Sequence, residues 1–222
     1  MSRFSPLAAR RGAIAAAFAA GAGSVASFSA PQWFALLPAA LALLFYLWLR
    51  ADSPRRAAAL GFAFGLGHFG AGVSWIYVSL HDFGMMPAPL AAAATLLFCC
   101  YLALFPALVG SLQARIACGV PLRLLALVPS LWTLAEWLRS WLLTGFPWLS
   151  AGYAQIDTPL AGFAPVGGVF AVSFATCLLA ALLALCFIAG GAVRAIAAGA
   201  IPVLLIAGQG LRALEWTRPV DP

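Results

Sequence analysis

The chain has 222 residues, of which 64% are hydrophobic and only 8% are charged, and its mean hydropathy is +1.02. Soluble globular proteins carry about 25% charged residues, so this composition excludes that class and predicts an all-α, polytopic membrane protein. The net charge of +6 does not predict a nucleic-acid partner, because the arginines lie between apolar runs rather than in one patch.

Apolar runs predict a bundle of about seven transmembrane helices. In chain order these runs are 12–28, 33–49, 57–80, 88–113, 124–143, 169–189 and 193–210. The first run also fits a secretory signal peptide, but the second run returns almost at once after Pro31, which favours a hairpin whose first helix is not cleaved. We therefore predict a transmembrane domain over 1–212, and a strap toward a further domain over 213–222.

The third run carries small residues at helical spacing. Gly61, Gly65, His68, Gly72 and Trp75 recur every three or four residues and so share one face. Small residues on such a face let a second helix approach closely. We expect His68 to hydrogen-bond a neighbouring helix, in preference to the alternative of a proton carrier.

The fifth run holds two charges, Glu136 and Arg139, within a predominantly apolar helix. Ionisable residues inside a membrane point to function by default, and a spacing of three places both on one helix face. With the helix ending near Leu143, both lie roughly 6–10 Å below its end at about 1.5 Å per residue. Two contacts remain open: the pair neutralise each other and lock the bundle, or Arg139 extends toward a lipid phosphate.

The segment 144–168 is too apolar for a solvated loop, and we expect it to fold back along the membrane surface. Its aromatic residues Phe146, Trp148 and Tyr153 are candidates for lining the path of a lipid acyl chain. Anchoring of these rings at the membrane–water interface is the alternative.

Orientation and metal binding follow from residue placement. Nine of the twelve arginines fall in loops on one side, which predicts a cytoplasmic amino terminus and a carboxy terminus on the opposite face. The five cysteines form no Cys-x-x-Cys pair, and the histidines are not spaced as ligands. We therefore predict no metal site, no disulfide framework and no cofactor.

The region after the fourth helix closely resembles the apolipoprotein N-acyltransferases of Gram-negative bacteria. Matching residues are Trp132, Glu136, Leu138, Arg139, Trp141, Thr144, Gly145, Phe146, Pro147, Trp148, Gly152, Tyr153, Gln155, Asp157, Pro159, Leu160, Gly162, Ala164 and Pro165. A second match comprises Trp75, Tyr77, Val78, Ser79, Phe83, Gly84 and Pro87. Met85 departs from the family, which commonly has a second glycine at that position.

The resemblance implies a multi-pass enzyme of the inner membrane with two substrates. It moves an acyl chain from a phospholipid, typically phosphatidylethanolamine, to the α-amino group of the diacylglyceryl-cysteine of an apolipoprotein. Family members react through a cysteine thioester, assisted by a glutamate and a lysine in a nitrilase-like periplasmic domain that follows the seventh helix. Since this chain has no lysine, the resemblance implies that it holds no catalytic residue and is inactive alone.

Two other functions fit the sequence. The intramembrane charges, His68 and the glycine-lined third helix are also features of a small transporter or channel. A lipid-binding scaffold without catalysis fits the absence of lysine equally well.

Overall fold

A computed structural model describes residues 6–216 of the protein, with side chains from Arg10 onward. Its helices are α1 (Pro6–Ser24), α2 (Leu36–Leu49), α3 (Pro54–Gly72), α4 (Trp75–Phe83), α5 (Ala88–Arg115), α6 (Val128–Arg139), α7 (Ala164–Ile188) and α8 (Gly191–Arg212). Two short helical segments, Val120–Leu122 and Arg123–Leu127, lead directly into α6. Six residues of the predicted strap, 217–222, lie outside the described part of the chain.

Within residues 6–216, four helical segments are long and apolar enough to cross a membrane: Pro31–Leu49, Ala88–Arg115, Pro159–Ile188 and Gly191–Arg212. A fifth span results if α3 and α4, which meet at an angle of 50°, are one broken helix. Each of the seven predicted runs is mainly helical, but the third, predicted as one helix over 57–80, is broken between Gly72 and Trp75, and the described residues contain no strand. The prediction of an all-α polytopic membrane protein is confirmed.

Helices α1, α3 and α5 are held together by close backbone contact. α3 packs between α1 and α5 along most of its length. A Cβ added to Gly65 would lie 2.8 Å from the Cα of Ala103 on α5, so only glycine permits this approach. Gly61 meets the backbone of Pro106 on the same helix in the same way. The predicted role of these small residues is thereby confirmed.

Helices α2, α3 and α6 meet around a group of large aromatic rings. The rings of Phe45 and Trp48 from α2 are stacked with centroids 5.7 Å apart, and both contact Trp132 of α6. Phe64 of α3 meets Trp132 edge to face at 6.1 Å. These buried rings join α2, α3 and α6, because each of them packs a large apolar surface against the others.

The two ends of the bundle differ in chemistry. At the end that we call the Arg10 end, Asp52 between α2 and α3 accepts from Arg10 at 2.7 Å and from Arg56 at 3.2 Å. At the other end, which we call the Trp148 end, the segments 25–35, 73–87 and 140–163 lie together.

The predicted end of the fifth helix was wrong by one turn. α6 ends at Arg139 rather than near Leu143, so Arg139 occupies the last helical position and Glu136 lies about 4.5 Å below it at 1.5 Å per residue. The segment that follows is built from short 3₁₀ turns at Leu142–Thr144, Ala151–Gln155 and Pro159–Phe163, and it folds back over the ends of α7 and α8.

Candidate functional site

The turn after α6 reverses the chain direction within seven residues. The amide of Phe146 donates to the carbonyl of Arg139 at 2.9 Å, which closes the turn. Inside it, Leu143 (φ 52°), Thr144 (φ 73°) and Gly145 (φ 80°) adopt the left-handed conformation. This conformation disfavours the two residues that have side chains, at a cost of about 1–3 kcal/mol each, so tertiary contacts must hold the turn in place.

Arg139 supplies these contacts from the end of α6. Its Nη1 donates to the carbonyls of Phe146 at 2.5 Å and Trp148 at 2.7 Å, and its Nη2 donates to Ser150 Oγ at 3.2 Å. The guanidinium also lies 5.2 Å from the centre of the Phe69 ring, a cation–π contact. The negative end of the helix dipole favours a cation at this position as well. Arg139 is 2% exposed, so these groups take the place of solvent around its charge.

Glu136 binds the next part of the same segment. Its Oε1 accepts from the indole N–H of Trp132 and from the amide of Ala151, both at 2.9 Å. The other carboxyl oxygen, Oε2, is buried and has no hydrogen-bond partner within the described residues. Glu136 and Arg139 therefore hold adjacent stretches of one loop, from Phe146 to Ala151.

Arg139 binds the loop rather than Glu136. Among residues 6–216, no ion pair within 4.0 Å joins Arg139 to Glu136. The guanidinium is buried and its hydrogen bonds run to the loop from Phe146 to Ser150, and contact with a lipid phosphate stays a prediction. The charge serves to fix the loop in this conformation.

Phe146 and Trp148 come together in an aromatic group at the Trp148 end. Phe146 packs edge to face on Phe98 of α5 at 4.9 Å, and Trp148 packs edge to face on Trp75 of α4 at 5.7 Å. Phe146 and Trp148 themselves lie 6.4 Å apart, and Trp148 is 50% exposed. Arg139 holds the backbone carbonyls of both, so it sets where their rings stand.

Tyr153 lies apart from this group. Its ring contacts neither Phe146 nor Trp148 in the described structure, and it borders two surface clefts of about 180 and 200 Å³ on the other side of the segment. The backbone next to it is fixed by Ser173 of α7, whose Oγ accepts from the Gly152 amide at 2.8 Å. Of the five candidates, four are brought together and Tyr153 is not.

His68 contacts α1, as predicted for a histidine bonded to a neighbouring helix. Its Nδ1 lies 2.7 Å from Ser24 Oγ, and its Nε2 lies 3.4 Å from the carbonyl of Leu149. His68, Glu136 and Arg139 border one internal cavity of about 20 Å³. About 10–15 Å³ is enough for one water molecule, so this cavity has room for one water molecule, and the passage of a solute would require a different conformation.

We expect Ser24→Ala to lower the free energy of unfolding by about 1–2 kcal/mol, because it leaves a ring nitrogen of a buried histidine without its 2.7 Å partner. Ser29→Ala is the matched control, since its hydroxyl bonds only the nearby Ala26 carbonyl at an exposed position. Denaturant unfolding in detergent micelles measures both. Equal stability of the two variants would contradict a structural role for the Ser24–His68 contact.

The sequence marks some residues of the site and not others. Trp132 is marked, because it stands four residues before Glu136, a spacing that places both on one helix face. Phe98 and Ser150 have no such mark, because their partners are brought close only by the folded chain. Trp75 belongs to the second matching segment, but nothing in that segment identifies Trp148 as its neighbour.

The fold and the site define a class: a polytopic α-helical membrane protein in which a buried arginine and a buried glutamate fix residues 146–151, which we call the aromatic loop, at one end of the bundle. The chain belongs to the apolipoprotein N-acyltransferase family, since residues 20–182 match the model of the apolipoprotein N-acyltransferase N-terminal domain.

Individual relatives give the same result. The chain is 47% identical over 209 residues to an apolipoprotein N-acyltransferase of Nitrosomonas europaea, covering 92% of this chain and 41% of that protein. Proteins of the same name from Methylococcus capsulatus and Chromobacterium violaceum are 45% and 44% identical, with 87% and 92% of this chain and 39% of each relative covered. The chain thus spans about 40% of the length of these relatives.

Proposed function

We propose that this chain forms the membrane part of an apolipoprotein N-acyltransferase. The enzyme transfers an acyl chain from a phospholipid to the α-amino group of the diacylglyceryl-cysteine of an apolipoprotein. The observation that carries the proposal is the family match over residues 20–182. The aromatic loop fixed by Arg139 adds a structural reason, because apolar rings at a membrane boundary suit a lipid substrate.

In this proposal the chain binds and orients lipid, and it supplies no group to the chemistry. The reaction breaks the ester bond between the acyl carbon and a glycerol oxygen, forms a thioester with a cysteine and releases the lysophospholipid with its free hydroxyl. The amine nitrogen then takes the acyl group, and the cysteine thiol is released. The cysteine, glutamate and lysine of this reaction belong to a nitrilase-like domain outside these 222 residues, toward which residues 213–222 lead. The chain alone is then inactive, and acyl-thioester on the isolated chain after incubation with phospholipid would refute this part.

The proposal also includes a location. The protein lies in the bacterial inner membrane with the Arg10 end in the cytoplasm and the Trp148 end facing the periplasm. Support comes from the arginines at the Arg10 end, since positive residues favour the cytoplasmic side. Labelling of single cysteines placed at each end, with a reagent that does not cross the membrane, tests this orientation.

The direct test of function uses the full-length enzyme of this proposal, in which this chain is joined to the nitrilase-like domain, purified from its native membrane. It is incubated with phosphatidylethanolamine carrying a labelled acyl chain and with a peptide whose first residue is diacylglyceryl-cysteine. We expect the label on the peptide amine. Flux of a solute through liposomes containing the protein, with no labelled peptide, would favour the transporter instead.

Trp148 provides a prediction about the lipid path. In the full-length enzyme of this proposal, we expect Trp148→Ala to lower kcat/KM for the phospholipid about tenfold, which corresponds to about 1.4 kcal/mol of lost binding. Trp137→Ala is the matched control, because Trp137 is similarly exposed but its ring packs on Trp141 at 5.3 Å, and no ring contact joins it to Phe146 or Trp148 within the described residues. If both variants lost the same activity, the ring at 148 would be an interfacial anchor only.

A further inference from the structure

A long groove runs along the outer surface of the bundle at the Arg10 end. It has a volume of about 940 Å³ and lies between α1 and α3, bordered on the far side by α5. Ile14 and Phe18 of α1 and Phe62 of α3 line it, together with alanines such as Ala59. Its size is at the upper end of the range of small-molecule sites, about 300–1,000 Å³.

The groove is apolar along its length and basic at one end. Arg10 and Arg11 close that end, and Phe18 lies seven residues further along α1. At about 1.5 Å per residue, the apolar part extends about 10 Å from the arginines into the bundle. A phospholipid has the same layout, with a phosphate at one end and apolar chains that run away from it.

The charges at this end favour an anion. Arg10 and Arg56 share the single carboxylate of Asp52, so three arginines accompany one acid here. Arg11 has no hydrogen-bond or ion-pair partner in the part of the chain that the structure describes. Arg10 donates one N–H of its guanidinium to Asp52, and the group has five donors. Both residues therefore have N–H groups free for a phosphate.

We propose that this groove is a binding site for one anionic phospholipid, with its phosphate on Arg10 and Arg11 and an acyl chain between α1 and α3. Basic pockets between helices are a recognised setting for anionic headgroups. The site is at the opposite end of the bundle from the aromatic loop, so this lipid is distinct from the acyl donor. The bound lipid fills the gap beside α3, and the inference does not depend on the proposed acyl transfer.

Native mass spectrometry of the purified protein tests the site. The protein in detergent is mixed with phosphatidylglycerol or with phosphatidylcholine, and the fraction of protein that carries one lipid is counted. We expect phosphatidylglycerol to be retained at least fivefold better. Arg11→Gln should remove most of that preference, because one arginine near a lipid surface is worth a factor of about five. Arg55→Gln is the matched control and should retain it, since Arg55 is exposed but does not border the groove.

A second pair of variants tests the apolar part. Ala59→Leu places a larger side chain among the residues that line the groove and should lower retention of phosphatidylglycerol at least fivefold. Ala195→Leu makes the same change at an exposed position of α8 and should not. Equal retention of the two lipids by the unaltered protein, or unchanged retention by Arg11→Gln or Ala59→Leu, would overturn the proposal and leave only general solvation by lipid.

Discussion

Arg139→Leu is expected to release the aromatic loop from the bundle and to lower the free energy of unfolding by about 3–5 kcal/mol. The physical reason is the loss of charge-assisted hydrogen bonds to Phe146, Trp148 and Ser150. Hydrogen bonds to a charged group contribute about 1.5–3 kcal/mol each, and carbonyls left buried without a donor add to the cost. The leucine side chain fits the apolar surroundings but offers no donor.

Two measurements test this expectation. Denaturant unfolding in micelles gives the loss of stability, and amide hydrogen exchange shows where the structure opens. The amides of Phe146 and Ala151 are the informative positions, because they close the turn and bind Glu136. We expect peptides containing these amides to exchange faster in Arg139→Leu than in the unaltered protein, and to do so before peptides from α3 and α5 are affected.

Matched variants separate the charge from the shape of the side chain. Arg139→Lys keeps the charge but cannot reach two carbonyls and a hydroxyl at once. Its stability should therefore fall between that of the unaltered protein and that of Arg139→Leu. Arg115→Leu also removes a basic residue from the last turn of a helix, but from an exposed position, and should change stability by about 0.5 kcal/mol or less. Unchanged exchange of the loop in Arg139→Leu would show that the observed hydrogen bonds do not hold it.

The order of the helices and most of their length could be predicted from sequence because apolar runs set them directly. The end of α6 could not, because 140–143 is a polar residue followed by three apolar residues that can continue a helix. The helix stops there because the carbonyl of Arg139 accepts from Phe146 and its side chain binds the loop. The end of the helix is decided by contacts between residues that are too far apart in sequence to face each other on one helix, and hydrophobic periodicity does not reveal such contacts.

The charged pair shows the same limit. A spacing of three correctly places Glu136 and Arg139 on one helix, and mutual pairing of the two side chains is one of the two contacts that it leaves open. The partner that Glu136 finds is the amide of Ala151, fifteen residues on, and that amide is available only after the chain has reversed. The sequence thus singles out the charged pair, whereas the contacts that each charge makes required the structure.

The second large effect concerns the contact between α3 and α5. We expect Gly65→Ala to lower the free energy of unfolding by about 2 kcal/mol, because its Cβ would lie 2.8 Å from the Cα of Ala103 and 3.1 Å from Pro106 Cγ. Combining it with Gly61→Ala should raise the loss to about 4 kcal/mol, since the backbone of Pro106 blocks a Cβ there as well.

Gly70→Ala is the control on the same helix. Gly70 is exposed and nothing lies within 4 Å of an added Cβ, so the substitution should stabilise the protein by about 0.5–1 kcal/mol through helix propensity. A loss of stability in Gly70→Ala equal to that of Gly65→Ala would mean that glycine is required in α3 for a reason other than close packing.

Comparison of Gly65→Ala with Arg139→Leu shows how the loop depends on the bundle. His68 and Phe69 follow Gly65 on α3 and contact Leu149 and Arg139 respectively, so the seam between α3 and α5 forms the base on which the loop rests. Separation of that seam should expose helix and loop amides together, whereas Arg139→Leu should expose the loop first. If exchange rises in the loop alone in both variants, the loop is the weakest unit of the fold, and the aromatic group can open while the helices remain packed.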